Sequence, residues 1–251
     1  MNLATYGKDS RCKERIIYDL YGNYERLRLE HLSKVAAYAR EELKLKRVLV
    51  WYDSIAGIDT AILEEYDLGS LVTPVIWHYE WNSGDPAAFP NGMFAQFSNI
   101  FDNVLFAGIY KGSNGETQNV MEMQRYLPNL LGHLHNCGVN NNILNGTLTG
   151  MVLTGRSRYK HGAGLCELIP ESIPTLVTEL ISLNDNHRME QKELVDTAVQ
   201  YLEYSIKEQD PLNPKIIVTS DFELYYAHTF ERPLDSLFVN TNFPGNDVFI
   251  E

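Results

Sequence analysis

Four short apolar runs, rich in β-branched residues and separated by helix-like stretches, constrain this chain more than any other feature. They are Arg47-Val48-Leu49-Val50-Trp51-Tyr52-Asp53, Leu71-Val72-Thr73-Pro74-Val75-Ile76-Trp77, Asn103-Val104-Leu105-Phe106-Ala107-Gly108-Ile109-Tyr110 and Gly150-Met151-Val152-Leu153-Thr154. Apolar runs without polar alternation are expected of parallel strands buried on both faces. Pro74 cannot donate to a ladder, so it marks a bulge or a late strand start.

The stretches between the runs carry helical spacing. Residues 25–44 place Leu32, Val35, Ala36, Ala39 and Leu43 on one face, with charge on the other. Asp59 is suited to cap a short helix running to Tyr66. Further helices are expected over 93–101, 117–134, 172–183 and 190–208. Pro128 should kink the helix over 117–134 or mark its boundary. The Asn- and Gly-rich stretch 138–147 reads as a loop. Alternating β and α segments predict parallel strands joined by right-handed crossovers.

The fold class is therefore α/β, with about four βα units where a closed (β/α)8 barrel has eight. Half of such a barrel and an open sheet with added tails both fit. Residues 1–208 carry the units. Residues 209–251, opened by Asp210-Pro211-Leu212-Asn213-Pro214, read as an irregular C-terminal tail. Ile216-Ile217-Val218 is its one strand-like stretch.

Composition narrows the function. The formal net charge is −12, which opposes binding to nucleic acid or to anionic membrane surfaces. No stretch is long and apolar enough to span a bilayer, and the N-terminal residues lack an apolar signal core. Cys12, Cys137 and Cys166 are odd in number and fit no zinc spacing, so free thiols in a reducing compartment are expected. The Asn145-Gly146-Thr147 sequon is then a chance occurrence. These features place the chain in the cytoplasm, with the nucleus as the other compartment. No phosphate loop, nucleophile elbow or dinucleotide fingerprint is present, and His133 and His135 lack a metal-site partner set. No cofactor and no metal are expected.

Ligands of βα folds lie beyond the C-terminal ends of the strands. There the chain places Trp51 and Asp53, then Trp77, His78 and Tyr79, then Tyr110. Arg156, Arg158, Tyr159 and His161 follow the fourth run, with Glu167 beyond. One Trp at a strand end is often rim packing. Aromatic residues at three successive ends favour a ligand instead. Rings stack on the apolar face of a pyranose, and carboxylates accept from its hydroxyls. The two histidines read better as polar rim, and the arginine pair as a solvated loop. Glu167, inside an apolar run, needs a partner if buried.

In order and spacing these motifs resemble successive barrel strands of the β-N-acetylhexosaminidases, family 20 of the glycoside hydrolases, over roughly residues 5–185. The segments carrying the resemblance are Val48–Asp53, Val75–Tyr79, Ala107–Gly112, Met151–Tyr159 and Leu165–Pro170. The resemblance implies the second half of a (β/α)8 barrel. It implies removal of terminal N-acetylglucosamine or N-acetylgalactosamine by a substrate-assisted, retaining mechanism, in which the sugar's own acetamide attacks the anomeric carbon. Trp51 and Trp77 would wall the pocket and Tyr110 would meet the acetamide. Glu167 would bind sugar hydroxyls and Asp53 would support the pocket, with Tyr159 beside it. The family's Asp-Glu pair would fall at or before Met1-Asn2, so no catalytic residue is assigned. Arg156 stands where related sequences tend to carry Trp. The resemblance thus leaves two readings: a truncated hexosaminidase acting on an N-acetylhexosamine-terminated glycan, and a non-catalytic amino-sugar-binding or interaction protein. The strand at Val48–Val50 would present an open edge, which a homo-oligomer could cover.

Overall fold

The computed structural model describes residues 9–80, 83–112, 123–155, 169–185 and 189–201. Within them the elements run α1 (Ser10–Tyr18), α2 (Tyr24–Glu41), β1 (Leu49–Trp51), α3 (Thr60–Glu65), α4 (Leu68–Leu71), β2 (Thr73–Trp77), α5 (Met93–Ile100), β3 (Val104–Lys111), α6 (Met123–Val139), α7 (Asn141–Leu144), β4 (Leu148–Gly155), α8 (Ile169–Asn184) and α9 (Gln191–Tyr201). The four strands form one sheet in the order β1-β2-β3-β4, with β1 parallel to β2 and β2 parallel to β3. The fold is α/β, a parallel sheet alternating with helices. Among the described residues the sheet is not closed. Sequential neighbours joined through helices are the arrangement found in half of a (β/α)8 barrel.

All four predicted strands form. Pro74 sits inside β2, opposite Val50, and neither bulges the strand nor delays its start. The Thr73 amide donates to the Val48 carbonyl on the β1 side, so the backbone of Pro74 faces β3. Pairing with β3 begins only at Val75 opposite Leu105, so the missing N–H falls just outside the ladder.

The helices differ more from expectation. Asp59 does cap α3, accepting from the Ala61 amide at 2.8 Å. Helix α2 starts behind Asn23, whose side chain accepts from the Glu25 and Arg26 amides. It ends at Glu41 rather than continuing to residue 44. Leu43 is therefore exposed instead of on the apolar face, and Lys44 turns the chain at a positive φ. Helix α6 runs through Pro128. The predicted loop 138–147 contains the end of α6 and all of α7. Helices α1, α4 and α7 carry too few apolar positions to register as periodic segments.

The chain divides into two compact units, residues 1–108 with 132–152, and residues 109–131 with 153–251. In the first, one sheet face, represented by Val50, Ile76, Val104 and Phe106, packs into the main core with Leu29, Leu32, Ala36, Leu63 and Phe97. The opposite face carries a smaller cluster of Val75, Leu105 and Ala107, joined by Trp51, Trp77 and Val152. The register explains that cluster: Trp51 lies beside Val75, Val75 beside Leu105, and Trp77 beside Ala107.

In the second unit α8 and α9 pack together, and Leu127 and Leu194 are buried with Leu131, Ile181 and Met189. Helix α8 buries Ser172, Thr175, Thr178, Glu179 and Ser182 while Leu180 is half-exposed. Neither carboxyl oxygen of Glu179 finds a partner among the described residues. Burial pushes its pKa well above the usual carboxylate value. A raised folded-state pKa makes stability fall as pH rises above the unfolded value near 4.5. Glu179→Met should therefore raise stability at pH 7, by about 1–3 kcal/mol, and flatten that fall. Urea unfolding at pH 5 and pH 8 checks both, and a less stable variant would mean that the carboxyl is engaged.

The predicted strand at Ile216–Val218 and the tail 209–251 lie outside the described residues.

Candidate functional site

Two of the residues singled out from sequence meet at the C-terminal edge of β1 and β2. After Trp51 the chain enters a single 3-10 turn, Tyr52–Ser54, in which the Ile55 and Ala56 amides both donate to the Tyr52 carbonyl. That turn carries Asp53 towards the end of the neighbouring strand. There the Trp77 indole N–H donates to Asp53 Oδ1 at 3.0 Å. A charge-assisted bond of this kind fixes both groups. Asp53 is exposed, and Trp51 and Trp77 are half-buried.

Further rings complete the surface. Tyr79 stacks on Trp77 with centroids 4.5 Å apart and planes 27° from parallel. Tyr52 meets Trp77 edge-on at 5.9 Å and Phe89 at 6.0 Å. Burial first, and then the Asp53 charge, raise the Tyr52 pKa, so its phenol stays neutral at physiological pH. Trp51 lies on the same sheet face as Trp77, packed with Val75. The result is a cluster of aromatic rings at the strand ends with the Asp53 carboxylate beside it.

Behind that cluster lies His133 on α6, fully buried beside Phe89 and Phe106. Its Nε2 lies 3.0 Å from the His78 carbonyl. A carbonyl only accepts, so Nε2 carries the hydrogen and Nδ1 presents a lone pair. Nδ1 has no partner among the described residues. Burial lowers the imidazole pKa to about 4, against the opposing effect of the bond to His78. An unpartnered buried acceptor costs about 1–3 kcal/mol, so packing alone would favour Phe or Leu here. Asn136, three residues on, donates to the Ser83 carbonyl. Cys137, also on α6, has its thiol pKa pushed up to about 12, chiefly by burial, which makes it unreactive.

Tyr110 is the last residue but one of β3 and falls in the second unit, where its ring and the Lys111 stem lie against Gly155. A Cβ at that glycine would fall 2.9 Å from the ring and 2.5 Å from Lys111 Cγ. Tyr159 and Glu167 lie outside the described residues. So do Arg156, Arg158, His161 and Cys166, and the Met1-Asn2 position of the family's acidic pair.

Sequence reasoning missed Tyr52, Phe89 and His133 as parts of this neighbourhood. Tyr52 stood next to a chosen residue, but nothing local marks Phe89 or His133. Among the described residues no group of three His, Cys, Asp or Glu could hold a metal ion. None of the described helices is long and apolar enough to cross a membrane.

Comparison with known proteins points the same way as the motifs. No family model matches the chain. Hexosaminidase D of Bos taurus is 30% identical over 160 residues, which is 63% of this chain and 44% of the bovine protein. Hexosaminidase D of Homo sapiens is 29% identical over 153 residues, 60% of this chain and 30% of the human protein. The chain thus spans less than half the length of the curated relatives it matches. Over about 60% of its length the chain is similar in sequence to hexosaminidase D, and its alternating βα units make an α/β fold.

Proposed function

We propose that this protein recognises terminal N-acetylglucosamine or N-acetylgalactosamine, and that the surface around Trp77, Tyr79 and Asp53 is its sugar-binding wall. The observation carrying the proposal is the bond from the Trp77 indole to Asp53 at the ends of β1 and β2, in a chain similar to hexosaminidase D over part of its length. An amino sugar presents an apolar ring face and acetamide methyl to aromatic rings, and hydroxyls to a carboxylate. Asp53 is half committed to Trp77, which suits an anchoring acceptor better than a proton donor. Tyr110, Tyr159 and Glu167 are the further residues assigned to substrate by the family resemblance.

The reaction proposed is hydrolysis with retention, the substrate's acetamide oxygen attacking the anomeric carbon while a carboxylic acid protonates the departing oxygen. That acid belongs to the family's Asp-Glu pair and is not assigned to any described residue. A protein that binds the sugar and releases no product would be a non-catalytic amino-sugar-binding protein.

The test is calorimetric titration with N-acetylglucosamine and N-acetylgalactosamine, with glucose as control, alongside p-nitrophenol release from the two β-glycosides. Binding should favour the N-acetylated sugars, and Trp77→Ala should weaken it about tenfold, the equivalent of losing roughly 1.4 kcal/mol of stacking. Asp53→Asn should weaken it less, because the amide oxygen still accepts from Trp77. Equal affinity for glucose, or wild-type affinity in Trp77→Ala, would remove this wall from the account. Nitrophenol release would decide for the enzyme.

A further inference from the structure

Helix α6 approaches the segment after β2 more closely than ordinary side-chain packing requires. A Cβ on Gly132 would lie 2.2 Å from Ser83 Oγ and 2.4 Å from the Gly84 nitrogen. A Cβ on Gly84 would lie 3.1 Å from the Gly132 Cα. The two glycines therefore cross backbone to backbone, and neither can bear a side chain without displacing the other strand of chain. One residue on, His133 donates to the His78 carbonyl. One turn on, Asn136 donates to the Ser83 carbonyl, and Ser83 is fully buried. Positions 132, 133 and 136 share one side of a helix. They grip the chain at His78 and at Ser83-Gly84.

What lies under this grip is half of the aromatic stack. Trp77 is the last residue of β2 and is held by its place opposite Ala107. Tyr79 is beyond the ladder, in a stretch without regular structure. The carbonyl that His133 holds belongs to the residue joining them. His133 sits against Phe89 and Phe106, with the His78 ring also on Phe89, and it keeps an Nδ1 unpartnered among the described residues to be there. An apolar side chain would fill that place without the orphaned acceptor but could not hold His78.

We propose that His133 is a positioning residue for the sugar-binding wall, aided by Gly132 and Asn136. It pins the His78 carbonyl so that Tyr79 stays stacked on Trp77 beside Asp53. The sugar-binding part of this inference rests on the proposed function, but the positioning part does not. No residue of α6 needs to touch the sugar.

The test compares His133→Phe, which fills the space and lacks the donor, with His133→Gln, whose Nε2 can reach the same carbonyl. His133→Asn, polar but too short, serves if the Phe variant does not fold. Near-ultraviolet circular dichroism reads the Trp77–Tyr79 stack directly, its band identified as the part of the spectrum lost in Trp77→Phe. The band should disappear in His133→Phe and His133→Asn and persist in His133→Gln, with far-ultraviolet spectra unchanged throughout. Affinity for N-acetylglucosamine should fall about tenfold in the first two and stay within about threefold of wild type in the third. A folded His133→Phe variant that keeps the band would overturn the proposal. So would loss of the band in all three variants alike. If the wild type binds no amino sugar but the band follows this pattern, the positioning role stands and the sugar reading alone fails.

Discussion

Lowering the pH from 7.5 to 4.5 should cost the wild-type protein about 2–3 kcal/mol more stability than it costs His133→Gln. The imidazole of His133 has its pKa lowered to about 4 by burial, against about 6.5 in an unfolded chain. Between those values the unfolded state binds a proton that the folded state refuses. Stability contributed by the neutral ring is therefore complete above about pH 6.5 and is lost as the pH falls towards 4. The faces around the ring leave little to offset this. Phe89 and Phe106 are apolar, and the ionisable neighbour is His78, whose nearby charge lowers the pKa further. Glu179 in the second unit works with the opposite sign, losing stability as pH rises. Taking the wild type and the variant through the same urea unfolding at both pH values cancels Glu179 and every surface carboxylate. Parallel pH dependences in the two proteins would mean that His133 is not held neutral in the fold.

Phe106→Ala should be the most damaging single truncation, at about 3–5 kcal/mol. Phe106 is fully buried on β3, an inner strand of the described sheet, with β2 on one side and β4 on the other. Its ring lies 5.9 Å from Phe94 and 5.8 Å from His133. Truncation would leave a cavity that the flanking strands cannot close without disturbing their pairing. A second effect separates this site from an ordinary core position. Water entering the cavity would relieve the desolvation of His133 and move its pKa back towards the usual value. Phe106→Ala should thus be both less stable and less acid-sensitive than the wild type, as read by denaturant midpoints across pH 4.5–7.5. A loss below about 1 kcal/mol would show that the α5 and α6 aromatic residues do not close over β3.

Much of the fold was legible because strands buried on both faces, as β2 and β3 are, need uninterrupted apolar runs, and β1 and β4 carry runs of the same kind although Leu49 is exposed and β4 buries no residue fully. Val48–Val50, Val75–Trp77, Val104–Ile109 and Met151–Leu153 announce themselves for that reason, and each lies in or beside an observed strand. Asp59 announced its helix because a cap is a local contact. Helices α1, α4 and α7 were not announced. They are short, and their stability comes from packing, as with Leu68 buried against the main core. Pro74 misled because its cost depends on which neighbour its nitrogen faces, which is a property of the sheet.

The sequence by itself determined the βα alternation and put aromatic residues and Asp53 at the ends of strands, because strand periodicity and strand termini are local. It also carried the likeness to hexosaminidase D through the order of its motifs. Only the tertiary structure decided that Asp53 bonds the Trp77 indole, across 24 positions of chain. Only it brought His133 under His78, 55 positions away, and revealed why Gly132 and Gly84 carry no side chain. Register between strands and the approach of a helix to a loop depend on every layer packed between them. That information belongs to no single stretch of the chain.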